Sequence, residues 1–150
     1  MKYKIVLVII FLFGLKSNAQ NEGDSIFYSD QVHEVYMVFN QISYWDSLVA
    51  YFPADQYLQA DITFDGTLIP SVGVKFKGNS SYNNSSRKKS FKIDLNEFVA
   101  GQDVNGLKKF NLNNGFKDPS FLREKIACDF YNEHGLHAPR CTFAKVYLNG

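Results

Sequence analysis

An alternation between Val72 and Leu95 restricts this chain more than any other feature. Val72, Val74 and Phe76 fall on one side of an extended segment, while Gly73, Lys75 and Lys77 fall on the other. Phe91, Ile93 and Leu95 alternate in the same way with Ser90, Lys92 and Asp94. Successive side chains of a strand point to opposite faces, so both stretches read as half-buried strands with a basic outer face. The loop between them, Gly78 to Ser86, is small, polar and rich in hydroxyls.

The neighbouring segments extend the pattern. Val32 to Phe39 and Tyr57 to Phe64 are β-branched and aromatic and read as strands. Asp65-Gly66 is a two-residue hairpin signal, and the returning strand is expected to be interrupted at Pro70. Trp45, Leu48, Val49 and Phe52 recur at helical spacing, which predicts a short helix closed by Pro53. Asn105-Gly106 predicts another turn before a strand centred on Phe110 and Leu112. Asp118-Pro119-Ser120 reads as a helix start, with Asp118 as cap, and Gly135 ends that helix. Thr142 to Leu148 is a final strand, and Asn149-Gly150 has the form of a hairpin turn without its return strand. The expected fold is α+β and β-rich: a mostly antiparallel sheet with one main helix at about 119–133, incomplete at the C-terminus.

The N-terminus has its own logic. Lys2 and Lys4 precede an apolar run from Ile5 to Leu15, and Ser17-Asn18-Ala19 places small residues at a cleavage site. This is the order of an export signal peptide, assigned to residues 1–19. The run is well short of the roughly 20 apolar residues that span a bilayer, so no stable membrane anchor is expected. Residues 20–30 read as a flexible lead-in, and residues 31–150 as the folded portion. The expected location is periplasmic, cell-surface or extracellular. Two cysteines, Cys128 and Cys141, are too few for a disulfide scaffold; a bridge between them and two separate thiols are both open.

A formal net charge of +1 argues against a general nucleic-acid binder, but the charge is unevenly placed. No acidic residue lies between Asp65 and Asp94, whereas Lys75, Lys77, Arg87, Lys88, Lys89 and Lys92 all do. Glycine admits close approach of a ligand to the backbone, hydroxyls and N–H groups donate to oxyanions, and lysines supply point charge. One reading is a phosphate-binding strand–loop–strand with Gly78, Ser80 and Ser81 at its turn. The other is the solvated face of a sheet. On the predicted helix, Leu122, Ile126 and Phe130 centre an apolar side, and its arc takes in Arg123 and Glu124. These two charges either pair structurally or face an anion and its lysine. The three histidines have no metal-ligand spacing, so no metal site is assigned.

Taken together, VGVKFKGNSSY (72–82), RKKSFKIDLNEF (87–98), GLKKFNLNNGFKDPSFLREKIACDF (106–130) and APRCTFAKVYLNG (138–150) resemble the CotH family, the spore-coat-protein-H-like atypical protein kinases. The resemblance implies a divergent two-lobed kinase-like fold, of which this chain would be the smaller, β-rich lobe. It implies an exported enzyme that uses ATP and Mg2+ to phosphorylate secreted or coat proteins. Lys77, Gly78, Ser80, Ser81, Lys89 and Lys92 are the nucleotide-binding candidates, with Arg123 and Glu124 on the helix. Glu124 would partner a phosphate-binding lysine, and Lys108 or Lys109 is the alternative lysine. The family's magnesium and transfer aspartates would lie beyond Gly150, so no catalytic residue is assigned and the chain alone is expected to be inactive. The missing C-terminal lobe would be its first partner. A non-catalytic surface binding or adhesion module is the alternative function.

Overall fold

The computed structural model describes residues 21–149. The predicted signal peptide lies outside the described residues, and so does half of the Asn149-Gly150 turn. Six strands form one mixed sheet: β1 (His33–Val38), β2 (Leu58–Phe64), β3 (Thr67–Lys77), β4 (Ser90–Asp94), β5 (Lys109–Leu112) and β6 (Ala144–Leu148). Their spatial order is β5-β4-β3-β2-β1-β6. Every neighbouring pair is antiparallel except β1 with β6, which is parallel. Three helices accompany the sheet: α1 (Asp24–Phe27), α2 (Tyr44–Tyr51) and α3 (Arg123–Glu133).

Register sorts the side chains into two faces. Phe76 lies opposite Phe91 and Val74 opposite Ile93, and these continue to Leu112 and Phe110 on β5. Leu58, Ala60, Ile62, Phe64, Val35 and Met37 carry the same apolar face across β2 and β1. The α2 helix covers part of it: Leu48 is buried, and the Trp45 ring meets Phe76 edge-on at 5.0 Å. As expected, α2 stops before Pro53, where residues 52–54 tighten into a 3-10 turn. Burial of apolar area at roughly 25 cal/mol per Å² makes this face the main stabilising feature.

Turn chemistry closes the strands. Asp65 and Gly66 take φ of 46° and 84°, and Asn105 and Gly106 take 51° and 82°, the doubly left-handed turns that suit a twisted hairpin. Pro70 does not interrupt β3. The register shifts between Ala60 and Ile62, so the chain bulges at Pro70-Ser71. Ser71 adopts φ 55° and donates its N–H to Asp61 Oδ1 at 2.8 Å, so the strand passes a residue that lacks a donor.

The expected lead-in is docked where it is described. Ile26 is buried, and its carbonyl faces His33 Nε2 at 2.9 Å. Arg140 donates to Asp24 Oδ1 at 2.5 Å and lies over the Phe27 ring, tying residues 21–30 to the segment before β6. None of the described helices is long and apolar enough to cross a membrane.

Candidate functional site

The second face of the sheet is polar and carries the candidates. Register places Lys75 opposite Lys92, Lys77 opposite Ser90, and Gly73 opposite Asp94. On β5, Asn111 lies opposite Lys92 and Lys109 opposite Asp94. Like charges facing each other across a ladder repel, and the structure relieves this by treating the two lysines differently. Lys75 is 6% exposed, pairs with Asp55 Oδ2 at 2.5 Å, donates to the Asp55 carbonyl at 3.1 Å and lies over the Tyr57 ring. The bond from Lys75 holds the Asp55 carboxyl below the usual carboxylate range, against the effect of burial and with help from Lys92. The expected wet basic face is therefore covered at Lys75 by residues that follow α2. Tyr57, Asp55 and Lys75 line a cleft of about 510 Å³ with Glu97 and Phe98.

Lys77 and Lys92 remain. Neither makes an ion pair among the described residues. Lys77 donates instead to the side-chain oxygen of Asn113 at 3.0 Å. The Asn113 amide nitrogen donates in turn to Glu124 Oε1 at 2.5 Å. Glu124 thus reaches a lysine of the sheet, through an intervening amide. Of the alternative lysines, Lys109 is held by Asp94 at 2.6 Å, which raises its pKa, and Lys108 is exposed on the strand approach.

The loop that follows Lys77 is fixed from within. Gly78 has φ 98°, and an added Cβ there would collide with Ser81 Oγ. Tyr82 stacks on Phe52 with ring centroids 3.5 Å apart and leans on Phe76, which anchors the loop to the core. Lys89 turns inward and donates to the carbonyls of Tyr82 and Asn84 at 2.6 and 2.7 Å. It is the loop's internal brace. The carbonyl of Asn79 accepts from Tyr82 and Asn83, while the N–H groups of Asn79, Ser80 and Ser81 meet no acceptor among the described residues. Consecutive unpaired N–H groups beside a glycine are the chemistry of an anion cradle.

The helix candidates differ from expectation. The α3 helix starts at Arg123, not Pro119, because Lys117 and Phe121 take φ of 58° and break the helical path. Asp118 still serves the start, accepting from the Arg123 N–H at 2.9 Å. Its carboxyl is held low, first by the Ser120 hydroxyl and then by the Ser120 and Arg123 amides, against desolvation. Arg123 points to Asp118 and the Lys117 carbonyl and is exposed. Both Arg123 and Glu124 are solvent-accessible, since no residue of α3 is buried. Reading them into a buried apolar arc assumed that the helix packs on the sheet.

Cys128 and Cys141 are free thiols. Burial, then a hydrogen bond with the Cys128 thiol and the nearby Glu124 and Asp129 charges, push the Cys141 thiol up to about 12. Of the residues that bear on the site, Asn113 and Lys75 were missed as candidates. Asn113 sits in an Asn-Asn-Gly run that reads only as a turn, and the cover over Lys75 comes from distant sequence.

The β-rich portion thus sets a basic sheet face beside a glycine–hydroxyl loop. A family model described as CotH kinase protein matches residues 74–150, just over half of the chain, and the chain belongs to the CotH family. Over 79 residues it is 33% identical to the inner spore coat protein H of Bacillus subtilis (strain 168). That stretch covers 53% of this chain and 20% of the relative, so the matched region is about a fifth of that protein's length.

Proposed function

We propose that this chain supplies the nucleotide-phosphate-binding part of an exported CotH-type protein kinase that transfers phosphate from ATP to secreted or coat proteins. In this reading the sheet is the smaller lobe of a divergent kinase-like fold, and the missing C-terminal lobe of the same polypeptide completes the site. The observation that carries it is that Lys77 and Lys92 share the polar face of β3 and β4, both without a carboxylate partner among the described residues, with the Gly78–Ser81 turn following Lys77. Lys77, Lys92 and the N–H groups of Asn79 to Ser81 would hold the phosphates of ATP by charge and donated hydrogen bonds. Lys89 would act by bracing the loop.

The fit ends at the phosphates. Among the described residues no group of three or more His, Cys, Asp or Glu is placed to hold a metal ion. Phosphoryl transfer uses metal carboxylates and a residue that orients the nucleophile. In this reading the chain supplies phosphate binding, and the rest of the polypeptide supplies the residues for transfer. A coat or surface location is in keeping with the name of the spore-coat relative.

Lys77→Ala and Lys92→Ala in the full-length protein are expected to weaken ATP binding by about 1–3 kcal/mol each, as for charge-assisted hydrogen bonds. Calorimetry checks this, and unchanged affinity in both variants with an intact fold would sink the assignment. A second reading, a non-catalytic surface binding module, is favoured by one observation: Leu122 at the N-cap of α3 and Ile126, Phe130 and Tyr131 along it are all exposed. ATP binding by the full-length protein discriminates between the two.

A further inference from the structure

We propose that Asn113 is a positioning residue that couples α3 to the phosphate-binding lysine, so that the placement of the helix sets the aim of Lys77. The inference rests on the nucleotide-phosphate reading and adds a means of regulating that site.

Chemistry fixes the orientation of the relay. A lysine ammonium only donates, and an ionised glutamate only accepts. The residue between them must accept on one side and donate on the other. A side-chain amide does both, so the Asn113 oxygen faces Lys77 Nζ at 3.0 Å and its nitrogen faces Glu124 Oε1 at 2.5 Å. Reversing the amide would set donor against donor and acceptor against acceptor. The two partners therefore assign the amide without ambiguity.

The arrangement differs in kind from the ion pair at Lys75. There a carboxylate touches the ammonium, and the lysine is buried and neutralised. At Lys77 a neutral amide holds the ammonium, and the carboxylate stands one residue behind it. The lysine is thus oriented while its positive charge remains available to an incoming anion. Asn113 immediately follows β5, and Glu124 lies in the first turn of α3. The three side chains therefore link β3, the end of β5 and the helix. No other hydrogen bond or ion pair of Lys77 competes with this one among the described residues. Because both bonds are exposed, their loss costs the fold little. A helix that packs only loosely on the sheet can then shift and take the lysine with it.

The test is a set of variants in the full-length protein, read by calorimetric affinity for ATP and by thermal unfolding. Asn113→Ala and Glu124→Ala are each expected to weaken ATP binding about three- to tenfold, the size of one hydrogen bond. Unfolding temperatures should be nearly unchanged. Because the relay is serial, the double variant should be no weaker than the worse single variant. In a Lys77→Ala background, Asn113→Ala should have no further effect. A purely structural asparagine would lower the unfolding temperature and add its effect in full to that of Lys77→Ala. Asn113→Asp, which keeps the acceptor for Lys77 but repels Glu124, guards against a poorly folding alanine variant and is expected to bind ATP as weakly as Asn113→Ala. If Lys77→Ala binds ATP as the wild type does, the phosphate reading itself fails. If Lys77→Ala weakens binding but Asn113→Ala and Asn113→Asp do not, or if the effects add in full, the relay alone is overturned.

Discussion

Two regions of this molecule obey the same patterning rules with different outcomes. Strands β1 to β4 turn one apolar face inward, and Val35, Met37, Ile62, Val72, Val74, Phe76 and Ile93 are essentially inaccessible. The α3 helix carries an equally clear apolar side, yet Leu122 is 46%, Ile126 61% and Phe130 54% exposed. Apolar periodicity identifies an element and the face it would bury. It does not say what buries that face. In the sheet the partner is the next strand or α2, close in sequence, whereas the described residues leave the Ile126–Phe130 side of α3 exposed.

The comparison breaks most directly on stability. Phe76→Ala is expected to destabilise the fold by about 3–5 kcal/mol, the usual cost of emptying a core aromatic site. Ile126→Ala on α3 should change it by less than about 0.5 kcal/mol, the range of ordinary surface substitutions. Denaturant unfolding of both variants checks this. A large loss at Ile126 would mean that α3 is packed in solution.

A smaller effect sharpens the account of the sheet side. Desolvation alone would raise the Asp65 pKa. The Glu34 N–H at 2.8 Å and the His33 ring at 2.6 Å outweigh it and leave the carboxyl below its usual value. A carboxylate lowered in the folded state adds stability above its unfolded pKa, near 4, and loses it as pH falls through the lower folded value. The wild type should therefore exceed Asp65→Asn in unfolding temperature at neutral pH, and the two should converge below about pH 4. A constant gap across that range would place the stabilisation elsewhere.

A further effect, without bearing on stability, concerns the other region. With its pKa pushed up to about 12, the Cys141 thiol is protonated at neutral pH, and only thiolate attacks electrophiles. Alkylation at pH 8 should be at least about 100-fold slower at Cys141 than at a free cysteine of ordinary pKa. Rapid labelling of Cys141 in the wild type would show that the segment around it is open.

Much of the sheet was legible because its determinants are local. Alternation located β3 and β4, and Asp65-Gly66 and Asn105-Gly106 form the turns that their chemistry prescribes. Misreadings arose where a distant residue intervenes. Pro70 stays within β3 because Asp61, on the neighbouring strand, accepts the Ser71 N–H. Lys75 is dry because Asp55 and Tyr57 fold over it. Glu124 was expected to partner a lysine directly, whereas Asn113 stands between it and Lys77; the amide was not legible, since an asparagine before Asn114-Gly115 signals only a turn. Arg123 was misplaced because a helical wheel presumes a packed side, and α3 has none among the described residues.

The central claim is that the Lys77–Lys92 face receives the phosphates of a nucleotide. A lysine-reactive acyl-phosphate analogue of ATP, applied to the full-length protein and mapped by mass spectrometry, tests it most directly. The account predicts acylation at Lys77 or Lys92, suppressed by excess ATP. Labelling confined to exposed lysines such as Lys108 and Lys145, or labelling that ATP does not suppress, would contradict it.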